Sequence, residues 1–313
     1  MTSFSACILK PRGPFHAGEC EGMREGSGEF IHSDTLFSAI CNCYLLLCGK
    51  AELERFLTAE KAPNPPLVLS SEFPYWDGKF YFPMPRSFMP QTKETRRIRF
   101  IEQPAFEALL AGQVSEGELK RGSLPSGVVM TGDVPRVTVS RTGGSAQEEG
   151  GVYHVGLTYY KQGAALYFLM KLGDEWRQKV NAAVRLMCDE GIGGYRTVGK
   201  GQFEQPVFTE LALNLNLGLK SRLLLSLYYP AESEHAGLAD GWYDLVQRKG
   251  YVFSPETRSL RRKGVSMFAE GSVFPGGERR GRLVDVTPEQ GSRHSVYRNG
   301  LAFAIPCRGG SDA

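Results

Sequence analysis

An α+β chain of two related halves, each packing helices on an antiparallel sheet, is what these 313 residues predict. Three observations lead there. The chain is too long for one small core and suits two domains of ordinary size. Segments of helical period alternate along it with segments of strand period. A strand–helix–strand–strand succession also occurs twice, without any repeat in sequence.

Residues 5–9 read as a short strand, and a glycine-rich stretch from Gly13 to Gly28 follows. A helix starts at Ser33-Asp34-Thr35, with Leu36, Phe37, Ile40, Tyr44, Leu47 and Cys48 spaced to line one buried face. Gly49 ends it as a left-handed C-terminal residue does. In this reading the Asp34 side chain caps the helix start, a contribution of about 1 kcal/mol, and that explains it without chemistry. Strands follow at 67–69 and 79–82, separated by the turn-rich run 74–78. From about 83 to 150 the pattern loosens into an insertion with a short helix after Pro104. The insertion ends in a hairpin (136–141 and 151–155) whose tip surrounds Gly143-Gly144-Ser145.

The second half repeats the arrangement. Residues 164–172 form an apolar strand, and Asp174 caps a helix with Trp176, Val180, Ala183, Val184 and Met187 along one face. After a glycine-rich loop, Leu211, Leu213, Leu215 and Leu217 alternate at period two, and 221–229 returns as a strand. The expected domains are therefore 1–160, with its insertion, and 161–307, with a disordered tail at 308–313.

Apolar residues make up 42 % and charged residues 23 %, the range of a globular protein. No segment reaches the roughly 20 apolar residues that cross a bilayer. Lys10-Pro11-Arg12 interrupts the apolar start, so no export signal is read there and a cytoplasmic protein is expected. Seven cysteines show no zinc-ligand spacing, so free thiols and no metal or cofactor are expected. The net charge of +3 is small, but residues 256–282 hold seven basic side chains against three acidic ones. A local basic field on a near-neutral body suits a polyanionic partner.

The most informative stretch is 191–203, with five glycines in its first eleven residues. Gly193, Gly194, Gly199 and Gly201 are read as letting the backbone approach a phosphate. Arg196 and Lys200 supply positive charge, and Tyr195 a surface for stacking on a base. The stretch is no triphosphate P-loop, because its Gly-Lys is followed by Gly201. Nor is it a dinucleotide fingerprint, because it follows a helix and precedes a strand. Arg261, Arg262 and Lys263 stand just before a strand with aromatics, which pairs phosphate contact with base stacking. His16 and His32 bracket the first glycine-rich stretch. Either has the chemistry of a general base toward a ribose 2′-hydroxyl, but without a visible partner a nucleic-acid contact is the preferred role.

Taken together, the chain resembles the RAMP-type subunits that cap the crRNA 5′ end in Csm (type III-A CRISPR) effector complexes. The carrying residues are Ser33-Asp34-Thr35-Leu36-Phe37-Ser38, the loop from Gly191 to Phe203, Met267-Phe268-Ala269-Glu270-Gly271-Ser272, Asp285-Val286-Thr287-Pro288, and Val296 to Phe303. The resemblance implies two ferredoxin-like (RRM-like) domains and a non-catalytic subunit of an antiviral complex that holds the repeat-derived 5′ tag. It implies three partners: the crRNA, the large polymerase-like Cas subunit and a backbone RAMP subunit. The loop matches the family at Gly193, Gly194, Arg196, Gly199, Lys200 and Gly201. Thr197 keeps a hydroxyl where two small polar residues are expected, and Val198 departs from that pattern. With His16 and the hairpin's Arg136 and Arg141, these residues make the expected RNA-binding set. Two alternatives carry different signatures: an endoribonuclease using His32 or His16 would cut repeat RNA, and a pure scaffold would survive ribonuclease treatment.

Overall fold

The computed structural model describes residues 1–18, 25–139, 151–254 and 258–309. In chain order, β1 (Thr2–Leu9) leads to α1 (Ser33–Cys48) and α2 (Lys50–Glu60). Short strands β2 (Leu67–Leu69), β3 (Phe73–Trp76), β4 (Lys79–Pro83) and β5 (Phe100–Glu102) follow. Helices α3 (Gln103–Leu110) and α4 (Glu116–Arg121) precede the hairpin of β6 (Val129–Val137) and β7 (Val152–Tyr160). Then come β8 (Ala165–Leu172), α5 (Asp174–Glu190) and β9 (Val207–Leu213). Beyond β9 the described residues hold nine strands and no α-helix: β10 (Ser221–Leu224), β11 (Leu245–Arg248), β12 (Tyr251–Phe253), β13 (Arg258–Arg261), β14 (Val265–Phe268), β15 (Val273–Phe274), β16 (Gly281–Asp285), β17 (Tyr297–Leu301) and β18 (Ala304–Cys307).

The main sheet runs β5-β4-β3-β8-β1-β9, with β2 also paired to β8, and every pairing is antiparallel. Its centre is explained by the two apolar strands. In β8, Leu166, Phe168 and Met170 point to one face, and Tyr167 and Leu169 to the other; in β1, Cys7 and Leu9 oppose Phe4 and Ala6. Strands buried on both faces need cover on both. One face is covered by α1 and α5, through Leu36, Phe37, Ile40, Val180, Val184 and Met187. The other is covered partly by the C-terminal strands, through Leu223, Val273, Phe303 and Ile305.

The division expected at residue 160 falls between strands of this sheet. β8 and β9, assigned by sequence to a second domain, pair with the two edges of β1 in the first sheet. Strands β1, β2/β3, β8 and β9 with α1 and α5 form one β-α-β-β-α-β unit. The C-terminal part has instead a three-stranded sheet, β15-β10-β18, and three two-stranded ribbons. Pro74-Tyr75-Trp76 belongs to β3, so the turn narrows to Asp77 and Gly78, both at positive φ (52° and 73°). The hairpin is present but begins earlier, at Val129, and its tip, with Gly143, lies outside the described residues, as does the tail after 309. Among the described residues no helix is long and apolar enough to cross a membrane.

Candidate nucleic-acid interface

The glycine-rich loop leaves α5 at Gly191 and folds back on itself, with the Ile192 N–H donating to the Gly201 carbonyl at 2.9 Å. It then lies along residues 11–16: the Gly194 N–H donates to the His16 carbonyl (2.9 Å), and Arg12 N–H to the Gln202 carbonyl (2.9 Å). A Cβ at Gly193 would stand 2.3 Å from the His16 carbonyl oxygen, and one at Gly201 2.0 Å from that of Ile192. These two glycines therefore serve backbone-to-backbone packing within the protein. Gly199 differs, with φ +75° and nothing within 4 Å of a built Cβ.

The side chains join this loop to two other elements. Tyr195, in the left-handed region at φ 58°, sets its ring edge-on to His16 with centroids 5.3 Å apart. Tyr195 is half-buried in that contact rather than standing out as a free stacking surface. His16 Nδ1 is 2.8 Å from the Gly156 carbonyl of β7, so loop, N-terminal segment and hairpin meet at one point. Arg196 lays its guanidinium over the Phe253 ring of β12 at 4.2 Å. Thr197 and Gly199 are exposed, Lys200 is half-exposed, and Lys200 forms no ion pair among the described residues.

Phe253 brings in the basic cluster. β12 pairs with β13 in the register Tyr251↔Arg261, and Arg261 extends over the Tyr251 ring at 5.7 Å. Lys263 is exposed and forms no ion pair among the described residues. Arg262 is half-buried, its Nε donating to the Tyr251 carbonyl at 2.9 Å. Arg136 sits three residues nearer the hairpin tip than Gly156, opposite Tyr153, so it is separate from this cluster. Arg141 lies outside the described residues.

Asp34 does not cap its helix. His32 is the residue before α1, and no side-chain cap is present. The fully buried Asp34 carboxylate is gripped in bidentate fashion by Arg248, with Nε–Oδ2 and Nη2–Oδ1 both at 3.0 Å, and also by Arg298. Burial alone would raise its pKa, but the Arg248 and Arg298 charges win and hold it far below the usual carboxylate range. Asp174 likewise is no cap: Gly173 precedes α5 and Asp174 pairs with Arg177 at 3.0 Å. His32 Nδ1 lies 2.8 Å from Glu270 Oε1, and Glu270 also accepts from Ser71. The Glu270 carboxyl is held below its ordinary pKa because His32 and the hydrogen bonds outweigh the cost of burial. Phe253, Arg248 and Arg298 were missed by sequence reasoning. Nothing local marks them, because each acts on a residue far away in the chain.

Residues 219–307 match the family described as the CRISPR Csm4 C-terminal domain. Over 97 % of both chains the sequence is 26 % identical to the CRISPR system Cms protein Csm4 of Thermococcus onnurineus strain NA1. These matches support a Csm-type RAMP subunit. The chain also shares its fold with a chain from the crystal structure of the Csm3–Csm4 subcomplex in the type III-A CRISPR–Cas interference complex. That match has a TM-score of 0.69 and 21 % identity, covering 97 % of this chain and 99 % of the other. A chain from the Csm1–Csm4 cassette in complex with pppApA matches at TM-score 0.65 and 21 % identity, over 98 % of both. The antiparallel α/β fold of the chain is thus held in common with both.

Proposed function

We propose that this protein is a non-catalytic crRNA-binding subunit of a type III-A interference complex. It holds the repeat-derived 5′ tag and bridges the large polymerase-like subunit to the backbone RAMP filament. One observation carries the RNA-binding reading. His16, the hairpin, the glycine-rich loop and the β12–β13 ribbon, four segments far apart in sequence, are joined by direct contacts into one surface bearing Lys200, Thr197, Arg261 and Lys263. Exposed cations beside aromatic rings suit a single strand, with phosphates on the cations and bases against the rings. The bridging reading is supported by the relatives of like fold, which come from a Csm3–Csm4 subcomplex and a Csm1–Csm4 cassette.

The non-catalytic reading is supported by where the candidate acid–base groups sit. Asp34 has both oxygens occupied by arginines in the core, and His16 is tied through Nδ1 to the Gly156 carbonyl and packed on Tyr195. A general base needs access to the hydroxyl it deprotonates. The test is to purify the chain with its bound RNA and sequence the 5′ ends. One short repeat-derived tag on diverse guides is expected, and Lys200→Ala should weaken RNA retention about tenfold and lower the salt slope by about one. Cleavage of repeat RNA that His32→Ala abolishes would overturn the reading in favour of a nuclease.

A further inference from the structure

Strand β2 is flanked by a buried acid on each side. Glu60, the last residue of α2, and Glu72, between β2 and β3, both have no solvent exposure. Glu60 Oε1 accepts the N–H of Leu67, the first residue of β2, at 2.8 Å. Its other oxygen and both oxygens of Glu72 have no hydrogen-bond partner among the described residues. The titratable groups facing Glu72 are the Cys7 thiol of β1, the Cys188 thiol of α5 and the Tyr160 hydroxyl of β7, and Glu60 faces the Cys41 thiol of α1. Burial pushes all four of these groups up, so they stay neutral. Arg185 acts on Cys7 and Arg12 on Cys188, but among the described residues no cation acts on either carboxyl. Lys61, next to Glu60 in sequence, turns to the Tyr297 hydroxyl instead.

An unpaired carboxylate in such surroundings costs far more than a carboxylic acid, so the proton is retained. Burial accordingly raises the Glu60 pKa to about 9 and that of Glu72 well above the ordinary glutamate value. Glu72 also stands at a seam. Consecutive N–H groups there donate to three distant segments: Ser70 to the Leu169 carbonyl of β8 (2.9 Å), Ser71 to the Leu225 carbonyl just after β10 (2.8 Å), and Glu72 to the Ile31 carbonyl before α1 (2.9 Å). Ser70 and Ser71 are as fully buried as Glu72, so a charge on Glu72 cannot reach water while this seam is closed.

We propose that Glu60 and Glu72 are carried in the fold as neutral acids and form a proton-linked lock at the two ends of β2, so that loss of either proton destabilises the closed seam. The lock goes beyond the RNA reading and uses none of its residues. Above about pH 4.3, the ordinary glutamate value, the unfolded chain has released these protons while the fold keeps them. The folded state therefore loses stability as pH rises, until the pKa in the fold is reached, about 9 for Glu60.

The full-length protein is unfolded in denaturant at intervals from about pH 5.5 to about pH 8, beside Glu60→Gln, Glu72→Gln and the double variant. Relative to each single variant, the unfolding constant of the wild type should rise about tenfold per pH unit, and relative to the double variant about a hundredfold. A ratio that does not change with pH, for either single variant, means a carboxylate already ionised in the fold and overturns the proposal. Where a variant fails to fold, the infrared spectrum of the wild type at neutral pH decides. A protonated-carboxyl stretch that disappears on unfolding supports the lock, and the absence of that band overturns it.

Discussion

Asp34 ties the helix start of the first unit to strands near the other end of the chain. Arg248 is 214 residues away and Arg298 264. Replacing it by Asn would leave two buried guanidiniums without their counter-charge, which costs about 3–5 kcal/mol where such pairs have been broken. Denaturant unfolding of Asp34→Asn at pH 7 should show a loss of that size. The pH dependence follows from the depressed pKa in the fold. The carboxylate's contribution is complete above the ordinary aspartate value of about 3.9 and is lost only as pH falls below it. The gap between wild type and variant should therefore hold steady from pH 7 to pH 5 and narrow below about pH 4. A gap that narrows already at pH 6 would show that some other group dominates. At this scale the sequence was misleading for a physical reason. Ser33-Asp34-Thr35 before an apolar helix has the composition of a cap, and the partners that claim the carboxylate have no local signal.

The glycine-rich loop shows the same division at the scale of the element. Its density of glycine was legible, and so was the need for unusual backbone. At Gly193 and Gly201 that need has an internal cause, because the loop folds on Ile192 and on the His16 carbonyl. Two substitutions separate packing from exposure. Gly201→Ala places a Cβ 2.0 Å from the Ile192 oxygen at φ +73°, so the loop must move; a loss of about 2 kcal/mol or more is expected in a thermal melt, with RNA retention falling alongside. Gly199→Ala meets no atom and costs only the left-handed conformation, about 1–2 kcal/mol. Equal losses at the two positions would mean that the loop's internal packing is not what fixes it. The helices α1 and α5 and the strands β1 and β8 were readable because apolar periodicity reports burial directly. Pairing of β1 with β8 and β9 was not, since antiparallel partners 150 or more residues apart leave no trace in local pattern.

That long-range pairing decides how the whole molecule can be divided. The middle of the main sheet is β8, which pairs with β1, β2 and β3, and both its faces are buried. A fragment of residues 1–160 would keep β1, α1 and the hairpin yet lose β8, α5 and β9. It would expose Cys7 and Leu9 on one face and Phe4 and Ala6 on the other, along with the α1 stripe that packs on α5. Apolar surface of that extent cannot be offset by the remaining contacts, and the open edges of β1 invite pairing between chains. The fragment should therefore aggregate and show no cooperative melting transition by circular dichroism. Residues 1–213 retain the complete β-α-β-β-α-β unit but uncover the face that Leu223, Phe303 and Ile305 protect, so they should stay helical while binding a hydrophobic dye. A cooperative melt for 1–160 alone would mean that the first sheet closes without β8. The boundary expected near residue 160 would then be real, and the second face would have to find its cover within the N-terminal half.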